Sequence, residues 1–135
     1  MPVKLIVHVL LEEDGRYLVT KRSMIKRGQE NVYPNFWDIP GGGVEVGELP
    51  QDAAIREVFE ETGQQVELLA IIHEDSQYDV SKEMVFTRLV YSGKLLTNLP
   101  IQLDPEEHTA YRWIGSLSEL IGDKWVPYLD AIIGK

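Results

Sequence analysis

The chain has 135 residues, 44% of them apolar, no cysteine, and a formal charge of −9. That length suits one domain, residues 1–135, with a real core. The acidity excludes bulk attraction to nucleic-acid polymers or anionic membranes. The missing cysteine excludes disulfides, thiolate metal sites and a cysteine nucleophile.

Residues 3–11 and 17–22 predict a strand pair around Asp14-Gly15, a hairpin turn signal. The apolar start lacks a basic leader and a small-residue cleavage site, so it reads as a strand and not a secretion signal. No run approaches the roughly 18 apolar residues of a membrane span. A cytoplasmic placement fits these features and the missing cysteine. Residues 23–35 predict a long polar loop, a kind that often carries function. Residues 36–39 predict a short strand feeding Pro40 and three glycines. Pro50 opens a helix running to about Thr62, with Ala54, Ile55, Val58 and Phe59 as its apolar stripe. Its glutamates are expected to face away from the core.

Residues 66–78 and 84–95 predict two long strands joined by a polar turn, and 108–114 a further strand. Ser116 and Glu119 form a capping box for a short helix over 116–120. Asp123 is expected to cap a terminal helix running to about Ile133. Hairpins dominate, so a purely parallel sheet is excluded. There is no repeat and no linker.

Residues 41–64 read GGGVEVGELPQDAAIREVFEETGQ. Glu57, Glu60 and Glu61 stand at i, i+3 and i+4, on one helix face within one turn. Gly63 suits the left-handed residue that ends a helix, so these acids lie where the helix carbonyls are also negative. Like charges so placed repel. A divalent cation reverses that sign, because hard cations take oxygen ligands. An isolated E-x-x-E-E reads as a solvated acidic face. The triple glycine, which lets backbone approach a ligand, and Glu45 and Glu48 beside it favour a site.

This stretch resembles the Nudix box, G-x5-E-x7-R-E-U-x-E-E-x-G-U, where U is bulky and apolar. Gly42, Glu48, Arg56-Glu57, Val58, Glu60-Glu61 and Gly63 match eight of nine specified positions. Gln64 replaces the last U. WDIPGG before the box and EEHTAYRW after it are also similar to the family. The resemblance implies an α/β fold, an α/β/α sandwich with a mixed, largely antiparallel sheet. It implies hydrolysis of a phosphoanhydride in a nucleoside diphosphate linked to another moiety, with Mg2+ or Mn2+. Oxygen ligands without nitrogen or sulfur agree with those metals.

By motif position, Gly42 (through its carbonyl), Glu48, Glu57, Glu60 and Glu61 are metal candidates, and Arg56 holds the glutamates in place. Glu57 and Glu60 are also catalytic candidates. The base is a box glutamate or one from a later loop, where Glu107 is preferred to Glu106. Arg22 and Lys21, in a basic cluster with Lys26 and Arg27, are phosphate candidates, and Trp37 is a base-stacking candidate competing with a packing role. His108 adjoins Glu107 and is a lesser candidate to assist a base. The preferred function is a MutT-like nucleoside triphosphate pyrophosphohydrolase. Open alternatives are an ADP-ribose, dinucleotide polyphosphate or coenzyme A pyrophosphatase, or a non-enzymatic nucleotide sensor. The expected partner is a small nucleotide, and a homodimer is compatible.

Overall fold

The structure, a computed structural model, describes residues 2–134. Two strands open it, β1 (Val3–Glu13) and β2 (Arg16–Arg22), turning at Asp14 and Gly15, which both have positive φ. That is the primed turn whose twist matches an antiparallel pair. The segment read as a plain loop holds a small hairpin, β3 (Ile25–Lys26) and β4 (Gln29–Glu30). Arg27 and Gly28, again both at positive φ, close it. After it come β5 (Trp37–Asp38) and β6 (Gly41–Gly43).

Helix α1 (Pro50–Thr62) has proline in its first turn. Gly63, at φ 73°, ends it by donating its N–H to the Phe59 carbonyl. Two long strands follow, β7 (Val66–Asp79) and β8 (Met84–Leu95), and then β9 (His108–Ile114). The main sheet runs β5-β2-β1-β8-β7, with β6 also on β1 and β9 also on β2. Among the described strand pairs only β1–β8 is parallel, so the sheet is mixed and mostly antiparallel as expected.

Alternation along β1 divides the core. Val7, Val9 and Leu11 point to one face and pack with Ala53, Ala54 and Val58 of α1. Leu10 points to the other, where Val90, Ile114, Leu117, Leu120 and Leu129 gather. The helix stripe is narrower than expected. Ile55 and Phe59 are exposed, because the buried line runs through positions 54, 58 and 61–62. Glu61 lies on that line and is 3% exposed, so it faces inward, contrary to expectation.

Leu117–Leu120 is a short 3₁₀ helix with the expected capping box of Ser116 and Glu119. The expected terminal α-helix is only a 3₁₀ turn, Pro127–Ala131. The segment before it is extended: Trp37 donates its N–H to the Lys124 carbonyl, and the Val126 N–H donates to Trp37. Asp123 caps nothing there, since its carboxylate accepts the Trp37 indole N–H at 3.0 Å. No helix among the described residues is long and apolar enough to cross a membrane.

Candidate active site

The glycine strand lets the helix carboxylates reach backbone. A Cβ on Gly42 would lie 2.5 Å from the carboxylate carbon of Glu57. A Cβ on Gly41 would collide with the His8 ring and the Val7 carbonyl. Both positions therefore need glycine for closeness, not for turning.

Arg56 organises the acids around it. It donates from Nε and Nη2 to the Glu48 carboxylate at 2.8 and 3.0 Å. Its Nη1 reaches Glu57 at 2.9 Å and Glu60 at 3.2 Å, and Nη2 also reaches the Gly43 carbonyl. The planar fork makes this multiple pairing possible. These bonds, followed by the Glu45 backbone N–H, pull the Glu48 carboxyl down to about 2. The same pairing raises the Arg56 pKa above its ordinary value.

Glu61 sits on the other side of Glu57. Burial raises its pKa, and the neighbouring Glu57 carboxylate, within hydrogen-bonding range, adds to the rise. One Glu61 oxygen lies 3.4 Å from His108 Nδ1, and the other is shut from water with no partner. His108 is itself buried, which takes its pKa down to about 4. Adjacent carboxylates with an unpartnered buried oxygen fit a hard divalent cation, which would satisfy that oxygen and relieve the repulsion. Among the described residues no three His, Asp or Glu side chains converge on one point, because Arg56 draws Glu48, Glu57 and Glu60 to itself.

Beside Glu61 opens a cleft of about 670 Å³ whose floor is a sheet face. Strand register writes the floor as rows across β6, β1, β8 and β7. One row is Gly43, Ile6, Arg88, Asp75; the next is Gly41, His8 and His73, with Val90 between the last two buried in the core. Asp38 is buried at the cleft's edge. It accepts from Arg22 Nη1 at 3.0 Å, from the Ile39 N–H and from the Tyr128 hydroxyl. Burial, the Asp38 charge and this hydrogen bond raise the Tyr128 pKa well above its ordinary value.

The sequence-predicted residues divide. Glu61, Gly42, Glu107 and Arg22 line the cleft, while Glu48, Glu57 and Glu60 gather at Arg56 behind the glycine strand. Glu107 is held by Lys26 at 3.0 Å. Arg22 also donates to the Asn31 side chain and the Val32 carbonyl, so most of its fork is spent fastening the loop. Trp37 is corrected: it is 3% exposed, packs in the core, and does not line the cleft. Lys21 is corrected with it, since its ammonium lies over the Trp37 ring and away from the cleft. Sequence reasoning missed His8, Asp38, Asp75, Arg88 and Tyr128. Alternation along β1 and β8 was the available signal for His8 and Arg88, but it needed the register to assign a face.

A family model described as NUDIX domain matches residues 1–130. The nucleoside triphosphatase NudI of Escherichia coli (strain K12) is 31% identical over 122 residues, covering 84% of this chain and 83% of the relative. The MutT protein from Methanosarcina mazei Go1 is a solved structure with TM-score 0.72 and 28% identity. The match covers 93% of this chain and 86% of that one. A NUDIX hydrolase from Nitrosomonas europaea, at 24% identity and TM-score 0.74, shares the fold over 97% of this chain and 85% of that one.

Proposed function

This chain belongs to the Nudix hydrolase family, and from that membership we propose that it is a divalent-cation-dependent nucleoside triphosphate pyrophosphohydrolase. Water attacks a phosphorus of the triphosphate, and a nucleoside monophosphate and pyrophosphate leave. The observation that carries this reading is Glu61, which lines a nucleotide-sized cleft with an unpartnered buried oxygen and has the Glu57 carboxylate beside it. A relative named as a nucleoside triphosphatase, matched along most of both chains, supports the substrate class.

We assign Glu57 and Glu61, with Glu48, Glu60 and the Gly42 carbonyl, to hold Mg2+ or Mn2+. The ion supplies charge neutralisation on the phosphates and a lowered pKa for the attacking water. Arg56 fixes the spacing of the acids. Glu107, set in the cleft by Lys26, takes the proton of the attacking water. Arg22 and Lys26 put positive charge along the substrate's path in a chain of charge −9. Residues 1–135 form one catalytic domain in this reading.

A screen with added Mg2+ or Mn2+ tests it. The panel holds nucleoside triphosphates, ADP-ribose, dinucleotide polyphosphates and coenzyme A, with products identified. Monophosphate and pyrophosphate should appear from triphosphates and vanish on chelation. Full turnover after exhaustive chelation, or turnover confined to another diphosphate class, would sink the proposal.

A further inference from the structure

Arg88 lies in the middle of the cleft floor, in register with Ile6 on one side and Asp75 on the other. Its guanidinium is fixed on two sides. Nη1 donates to Asp75 at 2.9 Å, and the group stacks over the Tyr128 ring at 4.1 Å. Asp75 is steadied in turn, since its second oxygen meets His73 Nε2 at 2.7 Å. Tyr128 is tied to Asp38 through its hydroxyl. Such a planar fork, held from two directions, is preorganised and loses little freedom on binding.

Among the described residues only Nη1 of Arg88 is hydrogen-bonded. Nε–H is shut from water without a partner. The side chain is about a quarter exposed, and the cleft is what it faces. Arginine has donors and no acceptor. Both oxygens of the neighbouring Asp75 are already engaged. Nη2, neither bonded nor shut away, is therefore the surplus donor that the floor offers to the cleft.

Its distance from the box matters. Strands lie about 4.8 Å apart, so Arg88 on β8 is roughly 10 Å across the sheet from the glycine strand. A nucleotide whose phosphates meet Glu57 and Glu61 thus lays its base over β8 and β7. Phe86, in register with Lys4 and Gln77, provides an aromatic face in the same cleft.

We infer that Arg88, set by Asp75 and Tyr128, determines base specificity by donating to the carbonyl that keto bases carry at purine C6 or pyrimidine C4. The enzyme then selects keto bases (guanine, uracil, thymine) over amino bases (adenine, cytosine). This rests on the nucleotide-hydrolase reading above. A carbonyl at that position accepts from the fork. An amino group there sets donor against donor. Guanine fits best, because its O6 and N7 present two adjacent acceptors to one arginine.

The test measures binding separately from chemistry. Titration calorimetry with GMP, UMP, AMP and CMP in a chelator should show the keto pair binding about ten- to hundredfold more tightly. Arg88→Gln, whose amide can donate or accept, should reduce that preference to within about threefold. Arg88→Lys, which keeps the charge without the fork, should do likewise and stands in if the first variant melts early. Equal binding of the four by the wild type, no binding of any, or a preference that survives both substitutions overturns the inference. A keto preference that falls in both variants, in a protein that hydrolyses no triphosphate, sinks the hydrolase reading and leaves the base assignment standing.

Discussion

Gln64 donates its side-chain amide to the backbone carbonyls of Leu99 and Pro100, at 2.9 and 3.1 Å. It is fully buried, at the one box position where an apolar residue is specified and a polar one stands. The departure from the motif therefore pins the segment after β8 against the end of α1. Gln64→Leu restores the motif but strips both carbonyls. It should lower unfolding free energy in urea by about 1–3 kcal/mol, with turnover at 25 °C unchanged. Equal stability would show that the two bonds add nothing net.

Glu57→Gln and Glu61→Gln each remove one charge of the carboxylate pair with little change of shape. Turnover should fall about 100-fold or more, as loss of several kcal/mol of metal assistance implies. In a chelator Glu61→Gln should melt at or above the wild-type temperature, because carboxylate repulsion is relieved. Added Mg2+ should raise the wild-type melting temperature and leave the Glu57→Gln value nearly unmoved. Near-normal turnover in Glu57→Gln would remove it from the ligand set.

Arg56→Lys keeps the charge but cannot span Glu48, Glu57 and Glu60 at once. The acids then lose their spacing. Turnover should drop about tenfold or more, and the Mg2+ concentration for half activity should rise. A variant with only raised substrate KM and unchanged metal demand would place Arg56 on the substrate instead of the acids.

His8 is buried under the cleft, with its ring centroid 5.1 Å from that of Tyr128. Its pKa falls from 6.5 to about 4, first through burial, with Asp38 and Asp75 opposing and Arg88 and Arg22 assisting. Between those values the unfolded chain binds a proton that the folded chain refuses. The His8 contribution is complete above pH 6.5 and is lost as pH falls toward 4, by about 3 kcal/mol at most. His8→Gln should show a flatter stability curve by that amount across the window. Parallel curves for variant and wild type would show that the folded ring protonates freely.

What the sequence made legible was local. Gly63 and Asp14-Gly15 carry their meaning in backbone preference, so the helix end and the first turn could be read directly, whereas the inward turn of Glu61 depends on packing that its spacing from Glu57 and Glu60 does not show. Trp37 could not, because an aromatic residue at a strand end suits a stacking platform or a core equally well. Its partner Asp123 lies far along the chain. The cleft floor around Arg88 was unreadable for the same reason. Arg88 meets Asp75 through a hairpin register and Tyr128 through a long return of the chain. The terminal helix failed because Trp125 and Val126 are taken up as extended backbone beside Trp37, a demand no local pattern shows.

The parallel pairing of β1 with β8 also sets an order of events. Val3–Leu11 lines up with Val85–Gly93, more than half the chain later. During synthesis the first apolar strand emerges long before the partner that covers its long edge. Non-local pairing of this kind slows folding and leaves unpaired strand edges exposed meanwhile. β1 is thus the segment that most needs shielding on the ribosome. The amides of β1 that face β8 should gain exchange protection only in nascent chains long enough to have released β8.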